Sequence, residues 1–145
     1  MIILVTGGAG YIGSQVALDL ARNGHKPIVF DNLSKGHREA VKAGLLVEGD
    51  LCDSALIKKV LIEEKIDAVI HLAAYSLVGE SVQDPEKYFQ NNIGNGIVLL
   101  NAMRACNVNY FVLSSTAAVY GEPEQIPITE DHPKNPTNPY GFSKL

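Results

Sequence analysis

The sequence predicts an α/β fold, a doubly wound parallel sheet with helices on both faces, and three observations carry that expectation. Short β-branched runs alternate with segments of helical spacing, a glycine-rich stretch joins the first run to the first such segment, and the second run ends in an acid. Residues 2–5 are an apolar strand that stops at Gly7. Residues 11–23 read as a helix, with Ile12, Val16, Leu20, Ala17 and Ala21 at helical spacing and Gly24 to close it. Residues 27–30 form the second strand, ending in Asp31, and the charged stretch 35–43 has room for a short helix. Residues 45–47 are the third strand, and Asp53 is the N-cap of a helix reaching Lys65, with Leu56, Val60 and Leu61 inside. Residues 68–72 make the fourth strand. Asp84-Pro85 opens the longest helix, in which Phe89, Ile93, Ile97, Leu100 and Met103 form the buried stripe. Residues 110–113 are the fifth strand, ending at Ser114-Ser115-Thr116. Five prolines between 123 and 139 then exclude regular structure over most of that stretch, and a loop of such length in a compact domain is usually functional.

Composition narrows the class. The chain has 145 residues, 46% hydrophobic and 19% charged, with a formal net charge of −4. That is enough apolar material for one packed core. The mild acidity argues against nucleic-acid or anionic-membrane surfaces, which need clustered positive charge. No stretch approaches the roughly 18 apolar residues of a membrane span, and the amino end lacks the basic start of a signal peptide. Two cysteines, Cys52 and Cys106, are too few for a disulfide framework, so a cytoplasmic protein with reduced thiols is expected.

Thr6-Gly7-Gly8-Ala9-Gly10-Tyr11-Ile12-Gly13 satisfies G-x-G-x-x-G through Gly8, Gly10 and Gly13, and G-x-x-G-x-x-G through Gly7, Gly10 and Gly13. A pyrophosphate needs close approach to bare backbone, and a helix N-terminus offers it unpaired N–H groups and the positive end of a dipole. Asp31 lies close to the offset of about 20 residues expected for a ribose-binding carboxylate. A carboxylate there repels a 2′-phosphate and so favours NAD over NADP; Lys35 and Arg38 read as solvated loop charges. Asp50, after strand three, either faces the adenine or is a surface-turn residue.

Tyr140 follows Pro139, so it falls in the first turn of a helix, with Lys144 four residues on and on the same face. A free phenol is too weakly acidic to act as a base at neutral pH unless a nearby ammonium stabilises the phenolate. The Ser114-Ser115-Thr116 hydroxyls stand at the carboxyl end of a strand, where open α/β sheets bind ligands.

These segments, together with Asp31-Asn32-Leu33, Gly49-Asp50-Leu51, His71-Leu72-Ala73-Ala74, Val78-Gly79-Glu80-Ser81, Asn91-Asn92 and the run from Ser114 to Gly121, resemble the extended short-chain dehydrogenase/reductase superfamily. Within it they are similar to the UDP-glucose 4-epimerases (UDP-galactose 4-epimerases), the likeness covering essentially the whole chain. The resemblance implies a Rossmann-type sheet of order 3-2-1-4-5, truncated before its last strands. It implies NAD held by Gly7, Gly10, Tyr11, Ile12, Gly13, Asp31, Asn32, Asp50, Leu51, Leu72, Ala73, Ala74, Asn92, Ser114, Tyr140 and Lys144. Asp31 and Asn32 would take the adenosine ribose, Asp50 and Leu51 the adenine, and Asn92 would lie near the phosphates. Tyr140 would remove the proton of the sugar 4-hydroxyl, Lys144 would stabilise the phenolate and hold the nicotinamide ribose, and the Thr116 hydroxyl would assist. The implied reaction interconverts UDP-glucose and UDP-galactose, in galactose metabolism, through a transient 4-keto sugar. His71 reads as a strand residue.

The chain departs from the family at Ser76, where many members carry Lys, and in length. The resemblance therefore implies an amino-terminal part, a cofactor domain over residues 1–145 that ends just after Y-x-x-x-K. The carboxy-terminal UDP-sugar-binding domain would be absent, and the chain alone inactive. It also implies a homodimer for the intact family, packed through the helix over residues 86–107. Two other readings are another NAD-dependent nucleotide-sugar epimerase or dehydratase, and a non-catalytic NAD-binding module. The dehydratases are expected to carry an acid beside the active-site hydroxyl, and Thr116-Ala117-Ala118 has none.

Overall fold

The computed structural model describes all 145 residues. Five strands, β1 (Ile2–Thr6), β2 (Lys26–Asp31), β3 (Leu45–Glu48), β4 (Ala68–His71) and β5 (Tyr110–Leu113), form one sheet of order β3-β2-β1-β4-β5. Every pairing is parallel, as the alternation predicts. The register sets Thr6 opposite both Phe30 and His71, which aligns the carboxyl ends of the three central strands.

The chain divides into two compact units, Met1–Ala73 with Gly96–Ser114, and Ala74–Asn95 with Ser115–Leu145. The first holds the sheet, α1 (Tyr11–Arg22), α2 (Ser54–Glu63) and all but the first residue of α5 (Asn95–Ala105). Its core is apolar: Leu4, Ile28, Phe30, Ile57, Val69 and Leu99 are almost wholly buried. Asp53 caps α2 as expected, its Oδ1 accepting the Leu56 N–H at 2.9 Å. The helix closes at Glu63, two residues before Lys65, whose positive φ of 53° turns the chain.

The second unit holds α3 (Val78–Gln83), α4 (Pro85–Tyr88) and α6 (Pro139–Ser143), with a 3₁₀ turn over Ala117–Tyr120. Its proline-rich loop is ordered by buried His132. The Nε2 of that ring accepts the Glu124 N–H at 3.0 Å, Nδ1 donates to the Pro133 carbonyl at 2.9 Å, and the ring meets Tyr120 edge-on. Gly121 has φ +66°, and a Cβ there would fall 2.0 Å from the Asn135 carbonyl oxygen, so only glycine fits.

The helix opened by Asp84-Pro85 departs from its expected form. Six residues of π-helix, Phe89–Gly94, separate α4 from α5. Phe89, Ile93, Ile97 and Leu100 are exposed, and of the predicted stripe only Met103 is buried. The buried face is Tyr88 before the π turn and Leu99, Ala102 and Met103 after it.

Candidate active site

In the first unit, Gly7-Gly8-Ala9-Gly10 links β1 to α1. Gly7 has φ +71°, and a Cβ there would lie 2.6 Å from the Ala73 nitrogen; one on Gly13 would lie 2.2 Å from the Gly7 oxygen. Leu72 is tied to the end of β1 by its N–H, which donates to the Thr6 carbonyl at 3.0 Å. Bare backbone is therefore required on the inner side of the loop. On the outer side a Gly10 Cβ would meet nothing closer than 3.3 Å. Gly10 is also the N-cap of α1 and brings no side-chain cap, so the Tyr11, Ile12 and Gly13 N–H groups are left for an outside acceptor. Tyr11 and Ile12 are exposed at this end. That donor set, a glycine cradle at an uncapped helix N-terminus, suits a pyrophosphate.

Asp31 has a role that spacing alone did not reveal. It is buried, its Oδ2 accepts the Ala9 N–H at 3.0 Å, and its Oδ1 accepts the Leu33 N–H at 2.8 Å. The carboxylate thus ties the glycine loop to the end of β2, leaving one lone pair on each oxygen for a ribose hydroxyl. Beside it, Asn32 Nδ2 donates to Asp50 Oδ2 at 2.7 Å. The Cys52 N–H and then Asn32 hold the Asp50 carboxyl below its usual range. Leu51 buries its side chain in the core. Arg38 is paired with Glu48. His71 is a strand residue as expected, its Nδ1 2.6 Å from Thr6 Oγ1 and its ring stacked on Phe111. Ser114 donates its N–H to the His71 carbonyl at 3.0 Å.

In the second unit, Tyr140 stands in the first turn of α6, as its place after Pro139 predicts. Its main chain is held at both ends. The N–H donates to Ser81 Oγ at 3.1 Å, and the carbonyl accepts from Ser143 Oγ at 2.8 Å. Its phenol oxygen makes no hydrogen bond within the chain. Tyr88, whose ring meets Tyr140 edge-on at 6.4 Å, is the opposite case. The Tyr88 hydroxyl lies 2.8 Å from both the Leu77 carbonyl and Glu80 Oε2 and accepts the Leu77 N–H, and burial pushes its pKa up to about 12. Lys87 completes the group, its Nζ 2.7 Å from Glu80 Oε1 and 4.7 Å from the centre of the Tyr75 ring.

Lys144 caps the end of α6 with 6% of its surface exposed and no carboxylate partner, and burial pushes its ammonium pKa down. Its carbonyl accepts from Ser115 Oγ at 2.8 Å. Thr116 Oγ1 accepts the Ala118 N–H at 3.2 Å, so its own proton is free to be donated. Asn92, inside the π turn, uses its whole amide within the unit. Oδ1 accepts from the Tyr75 N–H and Asn91 Nδ2, and Nδ2 donates to the Tyr75 carbonyl and Ser143 Oγ. Ala74, the remaining predicted contact, also belongs to this unit.

The profile of the NAD dependent epimerase/dehydratase family matches residues 3–145. A UDP-glucose 4-epimerase of Lactobacillus helveticus is 53% identical over the whole of this chain, and one of Streptomyces lividans is 54% identical over 98% of it. The chain spans 44% of the length of either relative. Among solved structures, UDP-glucose 4-epimerase from Brucella ovis in complex with NAD superposes on 99% of this chain with a TM-score of 0.96 and 48% identity, over 44% of its own length. The Bifidobacterium longum enzyme, in complex with NAD+ and UDP, does so with a TM-score of 0.94 and 40% identity, over 46% of its own length.

Proposed function

Since the chain belongs to the NAD dependent epimerase/dehydratase family, we propose that it binds NAD and supplies the proton-transfer residues of a UDP-glucose 4-epimerase. One observation carries the reading: Tyr140 and Lys144 have uncommitted side chains on a helix whose backbone is fixed. A tyrosine that only packs would satisfy its hydroxyl, as Tyr88 does.

In this reading the loop from Gly7 to Gly13 receives the pyrophosphate, and Asp31, Asn32 and Asp50 face the adenosine. Bound NAD supplies the acceptor, and then the donor, of hydride at C4 of the sugar. The Lys144 ammonium stabilises the Tyr140 phenolate, whose Oη takes the proton of the C4 hydroxyl and becomes the neutral phenol. Thr116 Oγ1 donates to the reacting oxygen. The proton returns from Tyr140 Oη once the 4-keto sugar has presented its other face. Lys144 is suited to this task by its lack of a carboxylate partner, which leaves its ammonium uncommitted when charged.

Calorimetric titration of NAD into the chain tests the binding, and an absence of both heat and thermal stabilisation defeats it. The reaction is tested in a chimera in which this chain replaces the matching part of the Lactobacillus helveticus enzyme. UDP-galactose is converted to UDP-glucose, and Tyr140→Phe lowers the rate by about 10²–10⁴-fold. A chimera that folds, binds NAD and acts only on another nucleotide sugar overturns the substrate assignment.

A further inference from the structure

We propose that Ser81, in the Val78-Gly79-Glu80-Ser81 segment to which the chemistry above gives no task, is the positioning residue of Tyr140. The inference rests on the reading of Tyr140 as the base.

Accounting for the amino end of α6 leads to it. A helix begins with N–H groups that have no partner inside it. At the first position of α6 the residue is Pro139, which has no N–H. At the third, Gly141 donates to Asn138 Oδ1 at 2.8 Å, and Phe142 closes the first turn onto the Asn138 carbonyl at 3.1 Å. The remaining donor is Tyr140 itself, and its acceptor comes from elsewhere in the chain, 59 residues earlier: Ser81 Oγ at 3.1 Å. A five-residue helix has no stability of its own, so such outside bonds set its placement.

Ser81 is built for the task. It is wholly buried, and its hydroxyl proton is spent on the Val78 carbonyl at 2.7 Å. That bond fixes the rotor and leaves the oxygen facing Tyr140 as an acceptor. The segment carrying Ser81 is itself braced. Tyr88 reaches Leu77, the residue before α3, through both its N–H and its carbonyl, and Glu80 is gripped by Tyr88 and Lys87. Tyr88 therefore fixes α3, α3 fixes Ser81, and Ser81 fixes the backbone nitrogen from which the Tyr140 ring is hung.

The test uses the 145-residue chain, labelled with ¹⁵N. In Ser81→Ala the Tyr140 amide exchanges with solvent about tenfold faster, while Gly141, held by Asn138, keeps its rate. Ser81→Cys fills the same space with a weak acceptor and gives the same local loss, which excludes a packing void as the cause. With NAD added, the wild-type Tyr140 ring resonances shift. In Ser81→Ala the Kd for NAD is unchanged and that shift is reduced. Unchanged exchange at Tyr140, or acceleration equal at Gly141 and throughout the second unit, overturns the proposal. So does a full ring response to NAD in Ser81→Ala. Wild-type Tyr140 resonances that ignore bound NAD refute the reading of Tyr140 as the base instead, and the exchange rates still judge the link to Ser81.

Discussion

In the first unit Leu4, Ile28, Phe30, Ile57, Val69 and Leu99 are joined in a single apolar cluster, and the unit's buried polar residues are Thr6, Ser14, Asp31 and His71. In the second, the buried polar and charged residues are Ser81, Asn95, His132, Ser143 and Lys144, and the buried apolar side chains include Tyr88, Val119 and Pro136. Burial of hydrocarbon is non-directional, so it holds a sheet together without dictating the angle of any one side chain. Hydrogen bonds between fixed partners are directional, and they converge on Tyr140 and Lys144. Strength is concentrated in the unit that presents the glycine loop, and geometric definition in the unit that presents Tyr140.

The contrast can be broken at either end. Phe30→Ala empties the centre of the first core and costs about 3–5 kcal/mol, read as a fall in the midpoint of denaturant unfolding. Gly13→Ala acts on the loop, because the new Cβ cannot sit 2.2 Å from the Gly7 oxygen. NAD affinity measured by calorimetry falls by about a hundredfold or more. In the second unit, Tyr88→Phe keeps the ring but removes the hydroxyl that bonds Leu77 and Glu80, a cost of about 1–3 kcal/mol. The same variant has a pH signature. The folded pKa of Tyr88, about 12, lies above its ordinary value, so the stability it contributes is complete below about pH 10 and is lost as pH rises towards 12. Stability of Tyr88→Phe falls less over that window. The smallest effect belongs to Asn32→Ala, roughly 0.5–1 kcal/mol. Asp50 is held below its usual range, so its contribution is present above about pH 4 and fades as pH drops through the lower folded value. Asn32→Ala narrows that window, which acid titration of the melting temperature measures.

The same contrast marks what was legible in the sequence. The strands, the α2 cap at Asp53 and the glycine loop were readable because each rests on a local pattern (β-branched runs, a capping residue, a fixed glycine spacing), while the strand order came from the family resemblance. The place of Tyr140 on its helix was readable for the same reason, from Pro139. The helix over Val78–Gln83 was missed, since six residues with a glycine at the second position show no period. The π turn was missed because nothing in residue type announces a bond to the fifth neighbour, and the Phe89, Ile93, Ile97 and Leu100 stripe was read as buried because apolar spacing marks a face without saying what covers it. The bonds of Ser81 to Tyr140 and of Asn92 to Ser143 were not readable, because these partners lie 59 and 51 residues away. What would have pointed to them is chemical rather than periodic: small polar residues that end up buried need partners.

Asp31 carries a consequence for anyone who would redesign the chain to accept a different dinucleotide. The obvious substitution removes its negative charge to admit a phosphorylated ribose. Here the same carboxylate receives the N–H groups of Ala9 and Leu33. A neutral aliphatic residue at that position would leave two amides without acceptors and loosen the very loop meant to grip the new ligand. Under the proposed reading, cofactor selectivity and loop shape would share one side chain, and exchanging the first would require a second mutation that restores the other.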